Sequence, residues 1–161
     1  MTLPTSIWLF QSVYATGLTV WLAIAVIDNI RTFRELAGAV GITMSMALLH
    51  QAPPIETALA TRAMTSSTLS RIAAAALLAL KLLALSAMVM GSFLLVFATG
   101  IEQARPWLNL ALTLFTVLLL AMHLGGLWFA YWIRQDDLQR GHLTLLVWIL
   151  SSFFLFNGSW A

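Results

Sequence analysis

Long apolar segments alternate with short polar ones along the chain, which is the pattern of a protein that crosses a membrane several times. About 20 residues in an α-helix cross the roughly 30 Å hydrocarbon core of a bilayer. The pattern predicts an all-α, four-helix transmembrane bundle that forms one domain over residues 1–161. Ser66–Ser67 gives an N-cap signal to the second span, and Pro106 suits the first turn of the third. The predicted spans cover residues 7–27, 69–98, 107–133 and 143–157.

A further apolar segment lies in the long connection between the first two spans. Residues 36–50 carry no charge apart from the imidazole of His50. As a helix they would reach only about 22 Å, which is too short to span. Pro53 and Pro54 follow, and proline cannot continue the helical hydrogen-bond ladder. We therefore expect an interfacial or re-entrant helix at 36–50 and a short helix at 55–64.

Composition agrees with a membrane location. Of the 161 residues, 61% are hydrophobic and 9% are charged, whereas a soluble domain carries about 25% charged residues. The absence of cysteine excludes disulfides, iron–sulfur ligation and thiolate metal sites. We expect a multi-pass protein of a bacterial inner (cytoplasmic) membrane. Because the basic residues form no run, we expect no nucleic-acid partner.

The arginines are distributed unevenly between the two ends of the predicted bundle. The end that holds the first and third connections carries all of them except Arg105, and the positive-inside rule places that end in the cytoplasm and both termini outside. Those arginines are Arg31, Arg34, Arg62, Arg71, Arg134 and Arg140. Tryptophans expected at the membrane interfaces are Trp8, Trp107, Trp128, Trp132 and Trp160.

Lys81 is the one basic residue predicted deep inside a span. A lysine at the bilayer centre is unfavourable by about 2.5–3.5 kcal/mol on insertion scales. No aspartate or glutamate of the chain is predicted at a similar depth. Three explanations follow: Lys81 is satisfied by neutral groups or kept uncharged, it pairs with a carboxylate on another polypeptide or a ligand, or it belongs to a proton or ion pathway. Ala84, Ala87 and Gly91 form a strip of small residues beside it, where another helix is expected to pack closely.

A polar stripe is predicted along the third span. Asn109, Thr116 and His123 recur at intervals of seven residues and therefore share one helix face. Gly126 adjoins this stripe, and Gly125 and Gly126 are both expected at packing positions. Hydrogen bonding between helices would explain the stripe. The functional alternative is a quinone-binding or haem-ligating role for His123.

The positions of the other histidines argue against a haem held by this chain alone. His142 is predicted near the interface and His50 in a connection, so neither shares the expected depth of His123. No cluster of His, Asp or Glu has metal-ligand spacing, and no catalytic fingerprint is present. We expect no cofactor bound by the chain itself, with a lipid or a quinone as the possible ligands.

Several short motifs occur in order: Asn29 at the start of the first connection, Ser45–Met46 within it, "RAMTSS" at Arg62–Ser67, and Gly-Gly-x-Trp-Phe at Gly125–Phe129. With these motifs the chain resembles a family of predicted small four-span bacterial integral membrane proteins of unknown function. The resemblance implies four spans with a long, partly apolar first connection, and it implies no activity.

The chain departs from the family pattern in three respects. Lys81 stands where the family usually has a glutamate, and Ile42 and Ala47 stand where it tends to have His and Asp. The family's second connection is often basic, which implies cytoplasmic termini, opposite to the orientation that this chain's arginines predict.

The sequence leads to an expected function as a small, non-catalytic accessory subunit of a larger inner-membrane complex of respiratory or energy-transducing type. Its partners would be other integral membrane subunits and lipids. One alternative is a membrane anchor that contacts quinone or haem. The other is a small transporter or channel that works as a homo-oligomer.

Overall fold

The structure, a computed structural model, describes residues 1–98 and 100–159, and Trp160 therefore lies outside the described residues. Helix makes up most of this part of the chain, and no strand occurs in it. Its α-helices are α1 (Leu3–Arg31), α2 (Phe33–Met44), α3 (Ser67–Phe93), α4 (Ile101–Trp128) and α5 (Asp136–Asn157). A π-helical turn at Leu94–Ala98 extends α3.

Four helices are long and apolar enough to cross a membrane, as the hydrophobic pattern predicts. They are Leu3–Arg31, Ser67–Ala98, Ile101–Trp128 and Asp136–Asn157. They pack around one apolar core, to which Leu22, Met88 and Phe156 contribute fully buried side chains. The backbones of α3 and α4 make the most extensive contact, while α1 packs on α3 and α5 packs on α4. The all-α, four-span fold class is confirmed.

The ends of α4 differ from the prediction of 107–133. The helix begins at Ile101, so Pro106 lies in the second turn and not in the first. The helix ends at Trp128 because the next residues turn back, with Ala130 in the left-handed conformation (φ 51°). A short 3₁₀ turn at Tyr131–Ile133 then leads into α5. This end of α4 therefore lies closer to His123 than the sequence pattern predicts.

The first connection is built from short helical pieces. The segment predicted as one helix at 36–50 is divided into α2, which starts earlier at Phe33, and a 3₁₀ turn at Ala47–His50. Met46 separates them with a left-handed backbone (φ 52°). The helix expected at 55–64 is a 3₁₀ turn at Ala58–Arg62. At 12 residues, α2 is about 18 Å long and too short to span. An interfacial or re-entrant position for α2 stays a prediction.

Polar side chains of α1 tie it to two other spans. The indole Nε1 of Trp8 donates to the carbonyl of Leu95 at 3.0 Å, within the π-helical turn. The amide of Gln11 donates to the carbonyl of Leu155 at 2.9 Å, and the hydroxyls of Tyr14 and Ser152 lie 2.8 Å apart. Such bonds join helices inside a membrane, where apolar contact gives less driving force than in water.

Candidate functional site

Lys81 lies close to the middle of the second span. It is about 21 Å along the axis from Ser67 and about 25 Å from Ala98, at 1.5 Å per residue. The side chain is half-buried at the edge of the packing face, with Ala84 fully buried one turn later and Leu83 exposed. In the described part of the chain, Lys81 takes part in no hydrogen bond or ion pair. A positive charge on Lys81 would therefore have no compensating group among the described residues of the bundle.

The strip of small residues beside Lys81 is where α3 approaches α4. Ala84 and Ala87 are buried in the main core. Gly91 is closer still, because a Cβ built on it would lie 2.8 Å from Cγ and Cδ2 of Leu108 and 3.0 Å from the backbone nitrogen of Leu108. Only glycine fits such an approach without displacing the neighbouring helix.

The polar stripe of α4 makes its interhelical contacts with α5. The side-chain amides of Asn109 and Asn157 exchange hydrogen bonds in both directions, at 2.8 and 2.7 Å. Thr116, in contrast, donates to the carbonyl of Leu112 in its own helix at 2.8 Å. Asn109 therefore joins two spans, whereas Thr116 does not.

His123, Tyr131 and His142 form a cluster at the end of α4. Nδ1 of His123 and the hydroxyl of Tyr131 are hydrogen-bonded at 2.8 Å. The ring centroid of His142 lies 6.0 Å from that of Tyr131, with nearly parallel planes, and 6.5 Å from that of His123. Nδ1 of His142 is buried and has no hydrogen-bond partner in the described residues. The site therefore offers one buried imidazole nitrogen with unused hydrogen-bonding capacity.

This geometry corrects the expectation that His142 and His123 lie at different depths. Because α4 ends at Trp128 and α5 begins at Asp136, the two histidines lie near the facing ends of adjacent antiparallel helices. No group of three or more His, Asp or Glu side chains that could hold a metal ion occurs within the described residues.

Gly126 gives Tyr131 the space to reach His123. A Cβ on Gly126 would lie 2.8 Å from three ring carbons of Tyr131. Gly125, which we expected at a packing position, has no such neighbour, since a Cβ there would meet nothing within 4 Å in the described structure. Burial raises the pKa of the Tyr131 hydroxyl above its ordinary value of about 10, so the phenol stays protonated at neutral pH.

Two arginines of the connections at this end of the bundle make contacts near the cluster. The guanidinium of Arg62 lies 4.6 Å from the ring centroid of Trp128 and donates to the Trp128 carbonyl at 3.4 Å. Arg134, next to the cluster, donates to the carbonyls of Gln51 and Pro53. Such cation–π and carbonyl contacts hold loop backbone against helix ends.

A model of a protein family, described as predicted small integral membrane protein (DUF2165), matches residues 7–158. The chain belongs to this family. No curated protein and no solved structure gives a significant match. Membership of DUF2165 is what the sequence motifs predict, and it agrees with a multi-pass integral membrane protein.

In this DUF2165 member, three of the motif segments meet at one end of the bundle. The backbone N–H of Met64, in "RAMTSS", donates to the carbonyl of Met44 at 2.8 Å, next to Ser45–Met46. Arg62 of the same motif contacts Trp128 of the Gly-Gly-x-Trp-Phe motif. Motifs far apart in sequence are thus one structural unit.

Two members of these contacts do not stand out in the sequence. Asn157 is the last residue of α5, and only the observed helix ends place it opposite Asn109. The hydrophobic pattern assigns Tyr131 to the third span, because "YWI" is as apolar as the helix before it.

Proposed function

We propose that the chain is a non-catalytic accessory subunit of a larger complex in a bacterial inner membrane. The observation that carries this proposal is the uncompensated Lys81 in the middle of a span. A charged side chain at this depth costs about 2.5–3.5 kcal/mol on insertion scales unless something compensates it. The carboxylates that the sequence offers lie at helix ends or in connections, so compensation from within the bundle is not available.

The partner that fits this position is a transmembrane helix with a carboxylate at mid-membrane depth. Lys81 is at the boundary between the core of the bundle and its outer surface, where such a helix can reach it. Leu82 is exposed on the adjoining surface, and it gives the partner helix an apolar side chain to pack on. A respiratory or energy-transducing assembly is our expectation for the partner complex.

The substitution Lys81→Met tests this proposal. Methionine keeps an unbranched stem and removes the charge, so insertion becomes easier, while the abandoned carboxylate of the partner is left unpaired at a cost of about 3–5 kcal/mol. We expect the yield of complex, extracted in mild detergent, to fall while the amount of inserted chain is unchanged or higher.

Two control variants make the result specific. Lys81→Arg keeps a positive charge and should retain most of the complex. Leu83→Met introduces the same side chain on the exposed surface two residues away and should have no effect. An unchanged yield of complex with Lys81→Met would remove the main reason for the proposal. Intact assembly with reduced ion flux in liposomes would instead favour the homo-oligomeric transporter.

A second candidate function is a membrane anchor that contacts quinone, and the unpartnered Nδ1 of His142 favours it. A buried imidazole nitrogen beside a protonated phenol can hydrogen-bond a quinone carbonyl. Solvent extraction of the purified protein, followed by analysis for quinone, tests this candidate. It predicts quinone in the wild type and a clear loss in His142→Phe, with a visible spectrum to detect any haem in the same sample.

A further inference from the structure

A large groove opens at the arginine-rich end of the bundle, between α2 and the first turns of α3. Its volume is about 830 Å³, which lies in the usual range for small-molecule sites of roughly 300–1,000 Å³. One wall is the face of α2 that carries Phe33, Ala37 and Gly38. The opposite wall runs from Met64 into α3. The groove lies apart from Lys81 and from the His123–Tyr131–His142 cluster.

The two walls of the groove contact each other at one point, which fixes their relative position. Gly41 lies against Ser70, because a Cβ built on Gly41 would be 3.5 Å from the Ser70 hydroxyl. The backbone hydrogen bond from Met64 to Met44 fixes the segment that enters α3. The groove is therefore a feature of the fold, formed where two of the family's motif segments meet.

The groove is lined by two cationic side chains as well as by apolar ones. Arg34 and Arg71 both line it, and of the described lining residues none is acidic. Neither arginine makes a hydrogen bond or an ion pair within the described residues. Both guanidinium groups thus keep all their donors for a ligand, and the guanidinium fork matches the oxygens of a phosphate.

Hydroxyl groups also line the groove at the start of α3. Ser66 caps the helix by accepting from the N–H of Leu69 at 3.3 Å, and the Ser70 hydroxyl donates to the carbonyl of Ser67 at 3.0 Å. The N–H groups of a first helical turn lack intrahelical acceptors and favour an anion. Because Ser66 already caps Leu69, the N–H groups of Ser67 and Thr68 are the donors that this turn can add to the site.

We propose that this groove binds the phosphate headgroup of an anionic phospholipid. The two unpaired arginines account for the phosphate, and two further features select a lipid over a soluble phosphate compound. The site lies at the end of a membrane-spanning helix, where headgroups are found. It also presents Phe33, Ile42 and Met64, beside which the start of an acyl chain can lie.

The experiment uses the full chain, purified and stripped of lipid in a neutral detergent, with native mass spectrometry to measure binding. The probes are short-chain phosphatidylglycerol, phosphatidylcholine of the same chain length, and inorganic phosphate. We expect phosphatidylglycerol to bind in preference to phosphatidylcholine. Inorganic phosphate at the same concentration should neither bind nor displace it.

Matched variants separate this site from general attraction to the positive end of the bundle. Arg34→Gln and Arg71→Gln should each weaken phosphatidylglycerol binding about tenfold, as expected for the loss of charge-assisted hydrogen bonds. Arg31→Gln removes the same charge at the same end but outside the groove, and it should leave the affinity unchanged. Gly38→Leu, where an added Cβ meets no atom within 4 Å, should narrow the groove and weaken binding without a change in charge.

Four results would overturn the proposal: equal binding of the two lipids, displacement by inorganic phosphate, wild-type affinity in both groove arginine variants, or an equal loss in Arg31→Gln. The arginines are exposed, so their replacement should not disturb folding. Gly38→Leu supplies the independent check that does not depend on charge.

Discussion

Gly91→Ala tests the close approach of α3 and α4 on which the bundle is built. The added Cβ would lie 2.8 Å from Cγ and Cδ2 of Leu108 and 3.0 Å from its backbone nitrogen. Leu108 is fully buried, so its side chain cannot swing outward, and its backbone can move only if α4 moves with it. The methyl group must therefore push the two helices apart.

The expected cost follows from two opposing effects. Overpacking a tight contact costs about 1–3 kcal/mol. Replacing glycine by alanine within a helix raises the free energy of unfolding by at most about 1 kcal/mol. The gain is smaller where the unfolded chain in detergent is still helical. We expect Gly91→Ala to lower the free energy of unfolding by about 1–2 kcal/mol.

Reversible unfolding in mixed micelles, driven by an increasing fraction of a denaturing detergent, measures this change. Gly17→Ala in α1 is the matched control, because a Cβ there meets no atom within 4 Å, and it should be neutral or slightly stabilising. The double variant with Leu108→Ala should lose less than the sum of the two single losses. If Gly91→Ala were as stable as Gly17→Ala, the close approach of α3 and α4 would be refuted.

Two further predictions concern the membrane topology and the contact between α4 and α5. The chain has no cysteine, so cysteines introduced singly at Arg31 and Gln51 can be labelled selectively. Both should react with the label from the same side of the membrane. Reaction from opposite sides would mean a fifth span. The Asn109–Asn157 pair should show a coupling free energy of about 1 kcal/mol in a double-mutant cycle with alanine, and zero coupling would mean that the reciprocal amide bonds do not join these spans.

The number of spans could be predicted from sequence because a bilayer leaves few alternatives. Backbone groups in the hydrocarbon core must bond within their own helix, so each span is a continuous apolar segment of predictable length. Lys81, Asn109 and His123 stood out against this apolar background for the same reason. The pattern therefore indicated which polar residues required an explanation.

The contacts of these residues could not be predicted, because they depend on where each helix ends. Ala130 adopts a left-handed backbone that alanine rarely takes, so no residue signal marked the end of α4. The sequence pattern predicts Pro106 in the first turn, although the structure places it in the second turn. These two errors moved the predicted helix along the chain and hid the proximity of His123 to His142.

The groove between α2 and α3 was beyond the sequence pattern for a related reason. Arg34 and Arg71 lie 37 positions apart in the chain, and neither belongs to a recognisable phosphate-binding motif. They face one groove only because α2 folds back along the first turns of α3. Hydrophobic periodicity predicts a helix but not the element on which it packs.

The proposal that the chain works inside a larger membrane complex is tested most directly by the particle released from native membranes in mild detergent. The measurement is the mass and polypeptide composition of that particle when the 17.7 kDa chain is expressed at its natural level. We predict a particle in which the chain is present in a fixed ratio with at least one other membrane polypeptide. A stable, monodisperse monomer, both in detergent and after transfer to lipid nanodiscs, would contradict the proposal.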